Sequence, residues 1–213
     1  MNLVRKLNHS LLVVSISAIT SPVNAAPGDS RPLFFTAETG WSNMANGHVS
    51  PNQTKDKKQF GYRMSMGYLF NINTKFSLGP EVAYGYYGKI SYQNPIGLVV
   101  YYESTGWSLL ASVKHKTTNL INLYLKAGAT EVSQHYDITG PNTVQGGFYQ
   151  HKFSPTIIAA GSYNLTQHVE LIASYTHIFA NRAPLSGKPQ LTYTNVDQIT
   201  TIDAVMLGVV YNV

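Results

Sequence analysis

The chain has 213 residues, no cysteine and a formal net charge of +5. The absence of cysteine excludes a disulfide framework, a thiolate metal site and a cysteine nucleophile, and so mild a basic balance does not indicate a nucleic-acid partner. Charged residues make up only 12% of the chain, against about 25% in soluble domains, so the sequence is short of the groups that usually cover a water-facing surface.

The N-terminal segment has the pattern of a secretory signal peptide. Arg5 and Lys6 precede an apolar run over residues 11–19, and small residues lead to Ala25. The run is well short of the roughly 20 residues that a membrane-spanning helix needs. We therefore predict an exported protein with a signal peptide over residues 1–25 and a single domain over residues 26–213.

After the leader, eight segments alternate large apolar residues with small or polar ones, which is the period of a β-strand. The clearest is FGYRMSMGYLF, in which Phe60 and Tyr62 alternate with Gly61 and Arg63. In chain order the segments cover residues 33–42, 60–70, 76–86, 107–114, 121–130, 153–163, 169–175 and 205–213. Helical periodicity is absent from this part of the sequence.

The connections between these segments alternate in length. Long ones cover about 43–58, 88–104, 133–151 and 180–200, and the short turns within 70–78, 115–123 and 163–171 align with one another. The alignment indicates a repeated hairpin followed by one long loop. An up-and-down arrangement then places all four long loops at one end.

The volume of the apolar face decides which way it points. Eight strands enclose a space just wide enough for side chains or one small ligand, and the apolar face carries too many rings and branched side chains to fit there. The other face is rich in Gly, Ser, Thr and Ala, so we expect the aromatic face to look outward into lipid. Two aromatic girdles are predicted: Trp41, Tyr62, Tyr84, Tyr86, Trp107 and Tyr175 near the long loops, and Phe70, Phe76, Tyr163 and Tyr211 near the short turns.

The aligned turns, the segments LGPEVAYGYYG and LYLKAGATEV, and the terminal LGVVYNV carry a family resemblance. The chain resembles the eight-stranded outer-membrane β-barrels formed by the OmpA transmembrane domain and its OmpX-like and opacity-protein relatives. The resemblance implies a Gram-negative outer membrane, short periplasmic turns and long extracellular loops. It also implies that the assembly machinery recognises the last strand through Gly208, Tyr211 and Val213. Val213 replaces the usual Phe or Trp, and Met206 stands where a polar residue is common.

Alternation places six charged residues of six strands in the lumen: Glu38, Arg63, Glu81, Lys114, Lys126 and Glu170. An unpaired charge in a narrow interior is strongly penalised, and pairing offsets that cost. We predict that Arg63 bridges Glu38 and Glu81, that Lys126 joins this cluster, and that Lys114 pairs with Glu170 near the periplasmic rim. The network would act as a polar plug; the alternative is a gate for ions or water.

His177 in SYTHIFANR is the best candidate for a catalytic base, because some small outer-membrane barrels modify lipid A. A deacylase-like site would have serine two residues later, where Phe179 stands. The other histidines are scattered and do not have the spacing of a zinc site. We therefore predict no catalytic residue, no metal site and no cofactor.

A basic patch and an apolar segment in the long loops could contact binding partners. Lys55, Lys57 and Lys58 form a basic patch that could meet phosphates of lipopolysaccharide or acidic glycans of a host surface; the alternative is ordinary solvated loop charge. The second loop contains IGLVVYYE, which exposes apolar residues unless its flanking strands extend as a hairpin. The edge of such a hairpin could bind a partner strand.

The predicted function is that of a non-enzymatic integral outer-membrane protein with a structural or surface-interaction role through its extracellular loops. The expected partners are outer-membrane lipids and lipopolysaccharide, the assembly machinery, and a host or surface ligand at the loops. The alternatives are a narrow, low-conductance channel, a lipid A-modifying enzyme and, last, a soluble ligand-binding barrel.

Overall fold

In a computed structural model of the chain, the described residues are 32–45, 54–55, 59–93, 99–139, 146–180 and 200–213. The predicted signal peptide lies outside these ranges, as do Lys57 and Lys58. Within them, no helix has both the length and the apolar character needed to cross a membrane.

The described elements are ten β-strands. They are β1 (Leu33–Ala45), β2 (Thr54–Lys55), β3 (Gln59–Tyr68), β4 (Phe70–Asn71), β5 (Phe76–Gln93), β6 (Val99–Lys116), β7 (Ile121–Thr139), β8 (Gly146–Asn164), β9 (Val169–Ile178) and β10 (Thr201–Asn212). β1, β3 and β5 to β10 pair antiparallel in a closed ring of eight. The short β4 continues β3 and pairs with β5, and β2 pairs with the far end of β5. The predicted eight-stranded up-and-down barrel is confirmed.

The first and last strands close the ring. β1 and β10 are in register from Phe34 opposite Asn212 to Ala45 opposite Thr201. The backbone amide of Val213 adds a bond to the carbonyl of Leu33 at 3.0 Å. Closure pairs the backbone donors and acceptors of both strands, which an open sheet in an apolar medium could not do.

The two faces of the sheet differ as the alternation predicts. Side chains of β3 are alternately buried and exposed along the whole strand. Phe60 is 63% exposed, whereas Arg63 is 1% exposed. Trp41 and Trp107 are also exposed on the outside, at 61% and 60%. The predicted sidedness, with rings outside and small or charged groups inside, is therefore confirmed.

Four neighbouring strands extend well beyond the others at the end that carries the long connections. β5, β6, β7 and β8 have 18 or 19 residues, and β1, β3, β9 and β10 have 10 to 13. The pairs Gln93–Val99 and Ile138–Gly146 show how far the two hairpins continue. Much of the predicted second and third loops is therefore strand, which agrees with the hairpin interpretation of IGLVVYYE.

One irregularity on β5 shifts its alternation. Between Tyr86 and Lys89 the pairing with β6 slips, so that two residues of β5 oppose one of β6. Gly88 has φ of +92°, a left-handed conformation that glycine adopts without steric cost. The bulge shifts the alternation after Tyr87, so that Ile90 also points into the lumen, and both side chains are 1% exposed.

Candidate functional site

All six charged residues predicted for the lumen lie inside the barrel, and they form three ion pairs. In the centre, Arg63 pairs with Glu38 through Nη2, while its Nε donates to the same carboxylate at 2.8 Å. Nη1 donates to the hydroxyl of Thr176 at 3.1 Å. The two charged side chains are almost completely buried, at 1% and 0% exposure.

The second central pair joins Lys126 to Glu81. Lys126 Nζ lies 2.8 Å from the carboxylate oxygens, and the hydroxyl of Ser112 donates to the same carboxylate at 2.6 Å. This differs from the predicted arrangement, in which Arg63 was to bridge Glu38 and Glu81. The carboxylate of Glu81 is bonded by Lys126 and Ser112 instead.

Strand register explains the difference. Glu38 and Arg63 are directly opposite on β1 and β3, so their side chains meet on the same face. On β5, the residue opposite Arg63 is Gly85, four positions from Glu81. That offset is about 13 Å along the strand, so Arg63 has its nearest acid on β1.

A third cluster at the short-turn end is centred on Glu170. Lys114 Nζ lies 2.5 Å from Glu170 Oε1. Four further groups donate hydrogen bonds to this carboxylate: Asn122, Tyr124, Ser162 and Asn212. The Lys114 side chain is 20% exposed, so this pair lies at the rim of the barrel and is partly accessible to solvent, unlike the two central pairs.

Apolar side chains lie inside the barrel on both sides of the central pairs. One buried cluster at the long-loop end contains Met44, Tyr87, Ile90, Val132, Ile178, Ile202, Ala204 and Met206. The other, toward the short turns, contains Phe34, Leu69, Tyr124, Ala160, Ile172 and Val210. The central charges therefore sit in a layer with apolar groups above and below, which strengthens their mutual attraction and raises the cost of separating them.

The predicted lumen contained only the charges of the inward face, and these apolar clusters were not predicted. Alternation already placed Phe34, Tyr124 and Met206 on that face, so a signal existed. Tyr87 continues the inward positions of β5 and could have been found in the same way. Ile90 could not, because the bulge at Gly88 shifts the alternation before it.

His177 lies on the outer face near the long-loop end. Its Nδ1 is 2.7 Å from Asp203 Oδ1, and the hydroxyl of Tyr175 donates to the same oxygen at 2.6 Å. Phe179 packs edge-on against the imidazole at 4.3 Å between ring centroids. The histidine thus contacts a carboxylate, a phenol and an apolar ring.

Of the predicted basic patch, only Lys55 lies in a described element, the short strand β2, where it is opposite Tyr92 of β5. Lys57 and Lys58 are outside the described residues, so the patch stays a prediction.

A closed ring of eight antiparallel strands, with apolar and aromatic side chains outside and paired charges inside, defines a transmembrane β-barrel of the outer membrane. The chain matches the model of the OmpA-like transmembrane domain over residues 29–212. It belongs to that family, and the resemblance drawn from its sequence is confirmed. The protein is therefore located in the outer membrane.

Solved structures of other outer-membrane proteins share this fold. Neisserial surface protein A is similar with a TM-score of 0.54 and 19% identity, over 86% of this chain and 98% of that one. Ail, the attachment invasion locus protein of Yersinia pestis, is similar with a TM-score of 0.50 and 14% identity, over 84% of this chain and 95% of that one. At these identities the similarity concerns the fold alone. No curated protein sequence matches the chain.

Proposed function

We propose that this barrel is a non-enzymatic surface-interaction protein, in which the β5–β8 sheet presents the binding surface outside the cell. The observation that carries the proposal is the difference in strand length. Four adjacent strands are longer than the rest by about 5 to 9 residues, which corresponds to about 17–30 Å along the strand. A purely structural barrel does not need such an extension.

The outer edge of this sheet supports the proposal. β8 pairs with β9 only from Thr156 onward, whereas it pairs with β7 from Gly146. Among the described residues, the stretch 146–154 therefore has a paired strand on one side only. Tyr149 and Phe153 project from it at 70% and 73% exposure. An edge of this kind can accept an extended peptide by strand addition, with side-chain contacts adding specificity.

The lumen supports a closed scaffold rather than a channel. The paired charges in the centre and the apolar clusters on both sides lie across the path that ions or water would have to take. We expect no influx of small sugars in a liposome swelling assay. If the cluster instead acts as a gate, replacing Arg63 by alanine should raise the conductance, and an unchanged conductance would argue against gating.

The same proposal includes two expectations for lipids and assembly. Mass spectrometry of lipid A from cells with and without the protein should show the same species, because Phe179 occupies the place of a serine nucleophile beside His177. The last strand, with Tyr211 exposed and Met206 buried, is the segment that we expect the assembly machinery to recognise.

The decisive experiment removes the extension without touching the barrel. Both hairpins are cut at paired positions, at Ile90 with Tyr102 and at Gln134 with Gln150, and each is closed by an Asn-Gly turn. In the second hairpin, the cut joins Gln134 of β7 to Gln150 of β8. Bacteria that express the full barrel should adhere to at least one of immobilised heparin, mucin or fibronectin, and the trimmed variant should not.

The control is the amount of folded barrel in the outer membrane, read from the faster migration of unboiled protein on a detergent gel. Equal adhesion of cells with full, trimmed or no barrel on all three surfaces would contradict the proposed role.

A further inference from the structure

The two edges of the extended β5–β8 sheet differ in what pairs with them. On the β5 edge, the short strand β2 pairs with Tyr92 and Gln93. On the β8 edge, pairing with β9 begins only at Thr156, and the stretch 146–154 is paired with β7 alone among the described residues. The β8 edge is therefore the one that leaves a row of backbone groups without a strand beside it.

The free backbone groups of this edge belong to every second residue. Phe179 donates its amide to the carbonyl of Pro155 at 2.9 Å, so that carbonyl points toward β9 and away from β7. Because backbone groups alternate in direction along a strand, those of Tyr149, His151 and Phe153 point to the same side. Each of these three residues thus offers an N–H and a C=O at the spacing that a further strand requires.

The same residues carry the exposed side chains of the edge. Tyr149 and Phe153 are 70% and 73% exposed, and the His151 side chain between them is 57% exposed. Tyr149 stacks on His135 at 4.2 Å between ring centroids, which holds its ring in place. A strand added here would set its own outward residues beside two aromatic rings, and such positions favour β-branched or aromatic side chains.

A lysine on the opposite face of the edge adds a preference for charge. Lys152 is half-buried, and its cross-strand neighbour on β7 is the apolar Val132. Within the part of the chain that the structure describes, Lys152 takes part in none of the ion pairs. Since opposite charges on adjacent strands stabilise a sheet and like charges destabilise it, an acidic residue is the best neighbour for Lys152 on an added strand.

On the basis of the proposed surface-interaction role, we propose that the free edge of β8 binds an extended, acidic segment of a partner polypeptide by strand addition. The peptide backbone bonds to Tyr149, His151 and Phe153, its apolar residues lie beside the rings, and an acidic residue on the other face pairs with Lys152. A second barrel in the same membrane does not fit this edge. Its β8 would run parallel with identical residues at one height, whereas parallel strands pair with their bonding residues offset.

The test measures peptide binding by fluorescence anisotropy with the refolded barrel in detergent. The probe is a labelled peptide as long as the free edge, in which valine alternates with glutamate. It should bind at least fivefold more tightly than the matching valine–lysine peptide. N-methylation of every second residue keeps all side chains of the probe and removes the donors that face the edge. The affinity should then fall at least tenfold, because each backbone hydrogen bond contributes a factor of about five.

A proline at an edge position removes a backbone donor from the barrel itself. Pro155 already occupies such a position while β8 stays paired with β7 at Ala129, so His151→Pro is compatible with the pairing of β8. The proline variant should bind the probe at least fivefold more weakly, whereas the control His151→Thr keeps the amide and should bind within about twofold of the wild type. Heat-modifiable migration verifies folding, and Tyr149→Pro with its control Tyr149→Thr replaces the pair if His151→Pro does not fold.

Three results would overturn the proposal. They are equal affinity for the probe with and without N-methyl groups, equal affinity for the glutamate and lysine peptides, and equal binding by the proline and threonine variants. A barrel dimer that the proline variant abolishes, without any peptide binding, would assign the edge to a second copy and overturn it as well.

The adhesion experiment separates this mechanism from the role on which it rests. If no peptide binds while the trimmed barrel still loses adhesion, strand addition is wrong and the surface-interaction role stands. If the probe binds as expected and adhesion is equal with and without the barrel, the adhesive role is wrong and the edge remains a peptide-binding site.

Discussion

Replacing Arg63 by alanine should strongly destabilise the barrel. The guanidinium is 1% exposed and makes its bonds to Glu38 and Thr176. Its removal leaves the carboxylate of Glu38 buried without a counter-charge, and within the described residues Glu38 Oε1 already has no hydrogen-bond partner. Breaking a buried pair in this way costs about 3–5 kcal/mol. With a urea dependence of about 2 kcal/mol per M, the unfolding midpoint should fall by about 1.5–2.5 M.

The assay is urea unfolding of the refolded protein in lipid vesicles, followed by tryptophan fluorescence. Trp41 and Trp107 both face outward, so their emission changes when the barrel leaves the lipid. A double-mutant cycle separates the pair from general loss of packing. The variant that lacks both Arg63 and Glu38 should lose less stability than the sum of the two single variants, by more than about 1 kcal/mol.

The exposed Lys89 provides the matched control for this experiment. Its replacement by alanine should move the midpoint by less than about 0.3 M, because surface substitutions usually change stability by no more than about 0.5 kcal/mol. A midpoint for Arg63→Ala that equals the wild-type value would refute the reasoning that the central pair holds the barrel together.

Three further outcomes follow from the same geometry. Lys114→Ala should lower the free energy of unfolding by only about 1 kcal/mol, or the urea midpoint by about 0.5 M. The loss is small because its carboxylate partner keeps four other donors. A loss of stability as large as that of the central pair would contradict this. Gly88→Ala should cost at least about 1–2 kcal/mol because of its φ of +92°, and its Cβ would also lie 2.5 Å from the Cβ of Gln59. Gly161→Ala, whose Cβ would meet its nearest atom at 3.9 Å, should be neutral in the same titration. Brominated acyl chains should quench the fluorescence of both Trp41 and Trp107, and a lack of quenching would refute their lipid-facing placement.

The arrangement of charged and apolar layers inside the barrel has a physical consequence for folding. The charged layer lies between two apolar clusters, so its charges must pair as the barrel closes or else remain desolvated and unpaired. Pairing of β1 with β10 is long-range in sequence. This pairing desolvates the charged layer, whose Arg63–Glu38 pair lies on the neighbouring strands β1 and β3.

The number of strands, their order and the direction of the apolar face were determined by the sequence alone. These properties depend on local alternation, on the spacing of turns and on total side-chain volume, all of which can be read without knowing which strands are neighbours. The same alternation assigned Glu38, Arg63 and Glu170 to the lumen. For that reason the class of protein was predictable before any coordinate was known.

Which side chains pair with one another inside the barrel was decided only by the tertiary structure. Which acid meets Arg63 depends on the register between strands, and register is set by closure of the whole ring rather than by any local segment. The bulge at Gly88 placed Ile90 in the lumen against the expected alternation, and the pairing of β5 to β8 fixed how far the sheet extends.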